Sequence, residues 1–113
     1  MEILLLLFVC SGLLLAALSI PLIMGKIGPN PWYGFRVKRT LADPAVWYAV
    51  NAYSAKWLLA VGIVNVVAAV VLYFVPDIDV AVYASSCGAI AVAGLVVALV
   101  QSIRFLRSLK LQD

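Results

Sequence analysis

Long apolar stretches alternate with short polar ones along this chain. Positions 3–24 hold no charge in 22 residues. Positions 57–75 contain one strongly polar residue, Asn65, and positions 80–103 are interrupted only by Ser85, Ser86, Gln101 and Ser102. A bilayer core about 30 Å thick needs about 20 helical residues, a length all three runs reach or approach. Backbone groups in lipid must bond within their own segment, so the pattern predicts three transmembrane helices and not a barrel. Asp43-Pro44 is a helix-start signal, with Asp as N-cap and Pro at the first helical position. The expectation is therefore an all-α membrane protein of one domain. It has a first span at 3–24, a link at 25–43, a long second helix at 44–75 with its membrane part at 57–75, a third span at 80–103 and a tail at 104–113.

At 1.5 Å per residue the second helix would be about 48 Å long, more than the hydrocarbon core. Its first turns must then stand at or beyond the membrane surface. There Trp47, Val50, Ser54 and Trp57 form one stripe at helical spacing, with Tyr48, Asn51 and Ala55 beside it. The Asn51 carboxamide is placed either to bond carbonyls of the preceding link or to bind a ligand.

Composition makes the membrane reading firm. Of 113 residues, 66% are hydrophobic and only 12% charged, with a mean hydropathy of +1.15. Soluble domains are about 25% charged, and a chain this short could not enclose so much apolar surface. The first run is read as a retained helix: it has no basic n-region, it is long for a signal h-region, and Val9 precedes Cys10 where a lipoprotein signal needs a small residue.

Charge adds a direction. Lys26, Arg36, Lys38, Arg39 and Lys56 lie on the link side with Asp43, and Arg104, Arg107 and Lys110 follow the third span. The opposite side carries Glu2, Asp77 and Asp79. The positive-inside rule then puts the N-terminus outside, and the link and C-terminus in the cytoplasm. Trp32, Tyr33, Phe35, Trp47, Tyr48, Tyr53 and Trp57 would belt the basic side, and Tyr73, Phe74 and Tyr83 the other.

Small residues predict close helix packing at Gly12 and Ala16, at Ala81, Ser85, Ala89 and Ala93, and at the pairs Ala84-Gly88 and Gly94-Ala98. Asn65, mid-span, is expected to bond another helix or line a polar crevice. No acidic, basic or histidine residue lies deep in a span, which argues against an ion or proton transporter. The chain has no His and two separated Cys, and no nucleophile has a base near it in sequence. Nor is there a glycine-rich phosphate loop. No catalytic site, cofactor, metal or nucleic-acid partner is expected. Lipids and other membrane protein subunits are.

The link itself reads "IGPNPWYGFRVKRTLADP", from Ile27 to Pro44. Gly25 and Gly28 close the first helix after Pro21. Pro29 and Pro31 hold Asn30 extended or in a turn, and Gly34 offers a bend. Arg36 and its neighbouring cations serve either as topology signals attracted to anionic lipid or as clamps for an acidic partner.

Pro29, Asn30, Tyr33, Gly34, Phe35, Arg36, Arg39, Thr40, Trp47 and Asn51, at these spacings, resemble the signature of the SdpI family of small bacterial membrane proteins. Gly28 stands where that pattern has a Pro, Val37-Lys38 replace its Thr-Pro, and Ala55 replaces a Gly. The resemblance implies a non-catalytic protein of the bacterial plasma membrane. It would act in immunity to a toxin or antimicrobial peptide, or in signalling through a cytoplasmic regulator held at the link. It also marks Asn30, Tyr33, Gly34, Phe35, Arg36, Arg39, Thr40, Trp47 and Asn51 as partner-binding or loop-structuring. Read from the residues alone, an accessory subunit of a larger transporter or respiratory assembly fits as well.

The orientation can be checked with single cysteines introduced beside Lys38 and Asp77. An impermeant thiol reagent added to intact cells should label only the site beside Asp77, and labelling beside Lys38 would reverse the assignment.

Overall fold

The computed structural model describes residues 1–110, which form four helices and no strand. They are α1 (Glu2–Ile23), α2 (Lys38–Ala42), α3 (Pro44–Tyr73) and α4 (Val80–Lys110). Three of them, α1, α3 and α4, are long and apolar enough to cross a membrane. The molecule is a narrow bundle, 56 × 24 × 18 Å.

Local chemistry explains most boundaries. α1 ends in a Schellman cap: Gly25 takes a left-handed φ of 70°, its N–H bonds the Leu22 carbonyl at 3.3 Å, and Lys26 N–H bonds Pro21 O at 3.0 Å. α3 starts at Pro44, with the Asp43 carboxylate accepting from Ala45 N–H at 3.0 Å. On the far side of the bundle from the link, Asp79 caps α4 by accepting from Ala81 N–H at 2.7 Å. α4 then runs for 31 residues, through most of the segment expected as a tail. Nothing from Arg104 to Leu109 breaks a helix, since the stretch has neither Gly nor Pro. Positions 111–113 lie outside the described residues, as does the side chain of Lys110.

α3 is the middle helix, packed on α1 along one side and α4 along another. The α1–α3 crossing is very close. A Cβ on Gly12 would lie 2.7 Å from Gly62 O, and a Cβ on Gly62 would lie 2.6 Å from Gly12 O and 3.1 Å from Ala16 N. Only glycine at both positions lets the backbones approach this closely. The α3–α4 contact is looser: a Cβ on Gly94 would meet the two Val61 methyls at 3.1 Å.

Four sequence expectations for α4 and α3 need correction. Tyr83 is not an interfacial marker. It is fully buried, its hydroxyl donates to Ala69 O at 2.9 Å, and its ring meets that of Phe8 edge-on at 6.2 Å. Ser85, Ala89 and Ala93 do not pack inside the bundle; all three are exposed. A Cβ on Gly88 would touch nothing within 4 Å. The buried stripe of α4 runs instead through Tyr83, Cys87, Ala98 and Ser102, with Gly94 against Val61, so the expected Gly94-Ala98 pair does face inward. Asn65 bonds no other helix: its buried Oδ1 has no hydrogen-bond partner, and the residue lies in the wall of an apolar groove between α3 and α4. Cys10 is exposed and Cys87 buried, both as free thiols.

Gly62→Leu should separate α1 from α3. Overpacking a tight contact costs about 1–3 kcal/mol, so a thermal melt in mild detergent should fall by several degrees, while Gly88→Leu should leave it unchanged.

Candidate functional site

The link folds back over the first turns of α3, and a short set of side chains fixes it there. Asn30 works inside the link. Its Oδ1 accepts from Trp32 N–H at 2.8 Å and Tyr33 N–H at 2.9 Å, and its Nδ2 donates to Gly28 O at 2.8 Å. This is an Asx turn, which lets one short side chain replace the backbone bonds that the flanking Pro29 and Pro31 cannot supply. The Arg36 guanidinium turns back and donates to the Pro31 carbonyl.

Trp47 and Asn51 hold the link from below. Both are buried, one turn apart on α3. The Trp47 indole N–H donates to Ile27 O at 2.8 Å. Asn51 Oδ1 accepts from Phe35 N–H at 2.5 Å, while its Nδ2 donates to Trp47 O at 3.0 Å and approaches Phe35 O at 3.4 Å. One carboxamide thus serves both polar groups of the Phe35 backbone. A buried polar group is stable only when its partners are present, and here each side chain is a partner for the other element.

Gly34 sits where the link presses on these two residues. Its φ is 116°, and a Cβ there would lie 2.7 Å from Asn51 Oδ1 and 3.0 Å from the Trp47 ring. Both the backbone angle and the space therefore demand glycine. Beyond it, Thr40 nucleates α2. Its buried Oγ1 accepts from Val37 N–H at 2.9 Å and can donate to the carbonyl of Phe35 or Val37, each 2.9 Å away. Val37 has no acceptor in its own side chain, so only the Thr40 half of a capping box forms.

The link also reaches α4. Arg39 donates to Leu106 O at 3.1 Å. Close by in sequence, the Phe105 ring stacks on Tyr53 of α3, with centroids 4.2 Å apart and planes within 7°. A small crevice of about 150 Å³ opens between Gly34, Phe35, Ser54, Leu58, Leu95 and Leu99, joining the link to both helices.

Of the residues singled out in the sequence, Asn30, Gly34, Phe35, Arg36, Thr40, Trp47 and Asn51 lie in this one assembly, and Arg39 ties it to α4. Tyr33 is half-buried within it. What faces outward is different: Trp32 is 83% exposed, and Arg36 and Lys38 of the same link segment are exposed too. Trp32 is not among the motif residues, and its exposure follows from the Asx turn that places it at the tip. Among the described residues, no group of three His, Cys, Asp or Glu side chains could hold a metal.

A family model describing the SdpI/YfhL protein family matches residues 26–103, which include the link from Lys26 onward, all of α3, and α4 as far as Ile103. The chain belongs to the SdpI/YfhL family. No curated protein and no solved structure matches it. For this SdpI-family chain the clamped link therefore lies inside the region that defines the family, whereas Gly12, the α1 side of the tightest crossing, lies outside it.

Asn51→Leu keeps the volume and removes the acceptor of the Phe35 N–H, while Thr40 can still serve the Phe35 carbonyl. Stranding that N–H should cost about 2 kcal/mol. Limited trypsin digestion in detergent should then cut faster at Arg36, Lys38 and Arg39, and an unchanged cleavage rate would show that the link is held by other contacts.

Proposed function

We propose that this protein is a non-catalytic binding protein of the bacterial plasma membrane with an immunity-type role, protecting the cell from a membrane-active toxin or antimicrobial peptide. Family membership supports the immunity class. The observation that carries a binding role is the division of labour in the link. Asn30, Thr40, Trp47 and Asn51 spend their hydrogen bonds inside the protein, while Trp32 and its basic neighbours point out from a fixed frame. An ordered aromatic and cationic tip loses little conformational freedom when a partner binds. That favours recognition of an acidic or amphipathic partner, such as a cytoplasmic regulator, on the link side.

A second reading, an accessory subunit of a larger membrane complex, is favoured by a different surface. Ser85, Ala89 and Ala93 present a small-residue stripe outward on α4, of the kind that lets a neighbouring helix approach.

Cells lacking the gene should be killed at lower doses of a membrane-active peptide, and a Trp32→Ala copy should fail to restore resistance while Gly88→Ala restores it. Unchanged killing across a peptide panel would overturn the immunity reading. Recovery of a stoichiometric larger complex on a C-terminal tag, lost with Ala89→Phe, would establish the subunit reading instead.

A further inference from the structure

Three adjoining hollows run along α3, the first lined by α3 alone and the other two between α3 and α4. The first, about 320 Å³, lies against Tyr53, Lys56, Trp57 and Ala60. The second, about 370 Å³, shares Trp57 and Ala60 with it and continues past Val64 to Asn65, Ala93 and Val97. The third, about 420 Å³, shares Val64 and Ile90 with the second and extends to Leu72. Together they make one open groove with small residues at Ala60, Ala93 and Gly94.

The groove is chemically polarised. Among the described residues, Lys56, at its link-side end, is the one charged residue in the lining; from Trp57 onward the walls are apolar except for Asn65. The Asn65 oxygen is buried and so is not offered to the groove. The stack of Phe105 on Tyr53 brings the exposed Arg104 and Arg107, which flank Phe105, to the same level as Lys56. From Lys56 to Asn65 is nine residues of α3, about 14 Å. That is close to the depth of one leaflet, about 15 Å.

We propose that this groove binds one anionic phospholipid of the link-side leaflet, with its phosphate at the Lys56 ammonium and one acyl chain lying past Trp57 and Ala60 as far as Asn65. A cation at one end only, at headgroup depth, matches an amphiphile with a single charged end. It gives no comparable match to an apolar helix crossing both leaflets. Trp57 sits at the junction of head and chain, where an indole is favoured. The site is independent of any partner at the link.

The test is native mass spectrometry of the full chain released from detergent with equal amounts of phosphatidylglycerol and phosphatidylcholine of matched chains. One phosphatidylglycerol should be retained in preference to phosphatidylcholine. Each cation near an anionic surface contributes about 1 kcal/mol, so Lys56→Gln should reduce that preference about five-fold. Ala93→Phe should fill the groove and lower retention of both lipids. Lys56 and Ala93 are exposed, so neither change disturbs the core, and circular dichroism should show unaltered helix content. Equal retention of the two lipids, a preference that survives Lys56→Gln, or a two-chain species carrying no lipid would each overturn the proposal.

Discussion

Asn51 meets the Phe35 backbone with both ends of its carboxamide, and the shape of the link depends on that meeting. The N–H of Phe35 is 2.5 Å from Oδ1, and the side chain of Asn51 is almost completely enclosed. Without the link, Asn51 would be a polar group on an apolar helix face near the membrane surface. Without Asn51, the link would carry the Phe35 N–H unpaired against an apolar wall. Each state is costly alone, and the two costs cancel when they are brought together. Gly34, Trp47 and Thr40 then have places to fill only because Phe35 has been fixed. The outward aim of Trp32 is set separately, by the Asn30 turn.

Much of this was legible in the residues. Three charge-poor runs specify three membrane helices, and Asp43-Pro44 marks where the long second helix begins. Prolines around Asn30, and a glycine before Phe35, mark a link with little freedom. What stayed hidden is which face of each helix points inward. In water, an apolar stripe identifies the buried face. In lipid, both faces are apolar, so the stripe carries no such information. Ser85, Ala89 and Ala93 therefore resemble an internal packing face as closely as Gly12 and Ala16 do, although only the α1 pair is used inside the bundle. Tyr83 was misread for a related reason. An aromatic near a helix end suits the interface, and nothing local reveals that the Ala69 carbonyl waits for its hydroxyl. Likewise, the carbonyls of Ile27 and Leu106, which anchor Trp47 and Arg39, leave no trace in residue type.

The two helix contacts of α3 differ in kind. On one side, Gly12 and Gly62 bring backbones together with no side chain between them. On the other, Val61 fits against Gly94, and Tyr83 reaches over to bond Ala69. The first is shape complementarity at the closest possible distance, intolerant of one added carbon. The second leaves an open groove along its length, with Asn65 in its wall and the unpaired Asn65 oxygen buried behind it. The bundle is thus tight on the α1 side and accommodating on the α4 side.

The bond from Arg39 to the Leu106 carbonyl acquires meaning from that asymmetry. It joins the link, which is fastened to α3, to the end of the helix that is held less tightly. The position of α4 at that end is thereby tied to the link through a guanidinium 3.1 Å from the carbonyl. Displacement of α4 within the bilayer would register at the membrane surface as a change in what Arg39 touches.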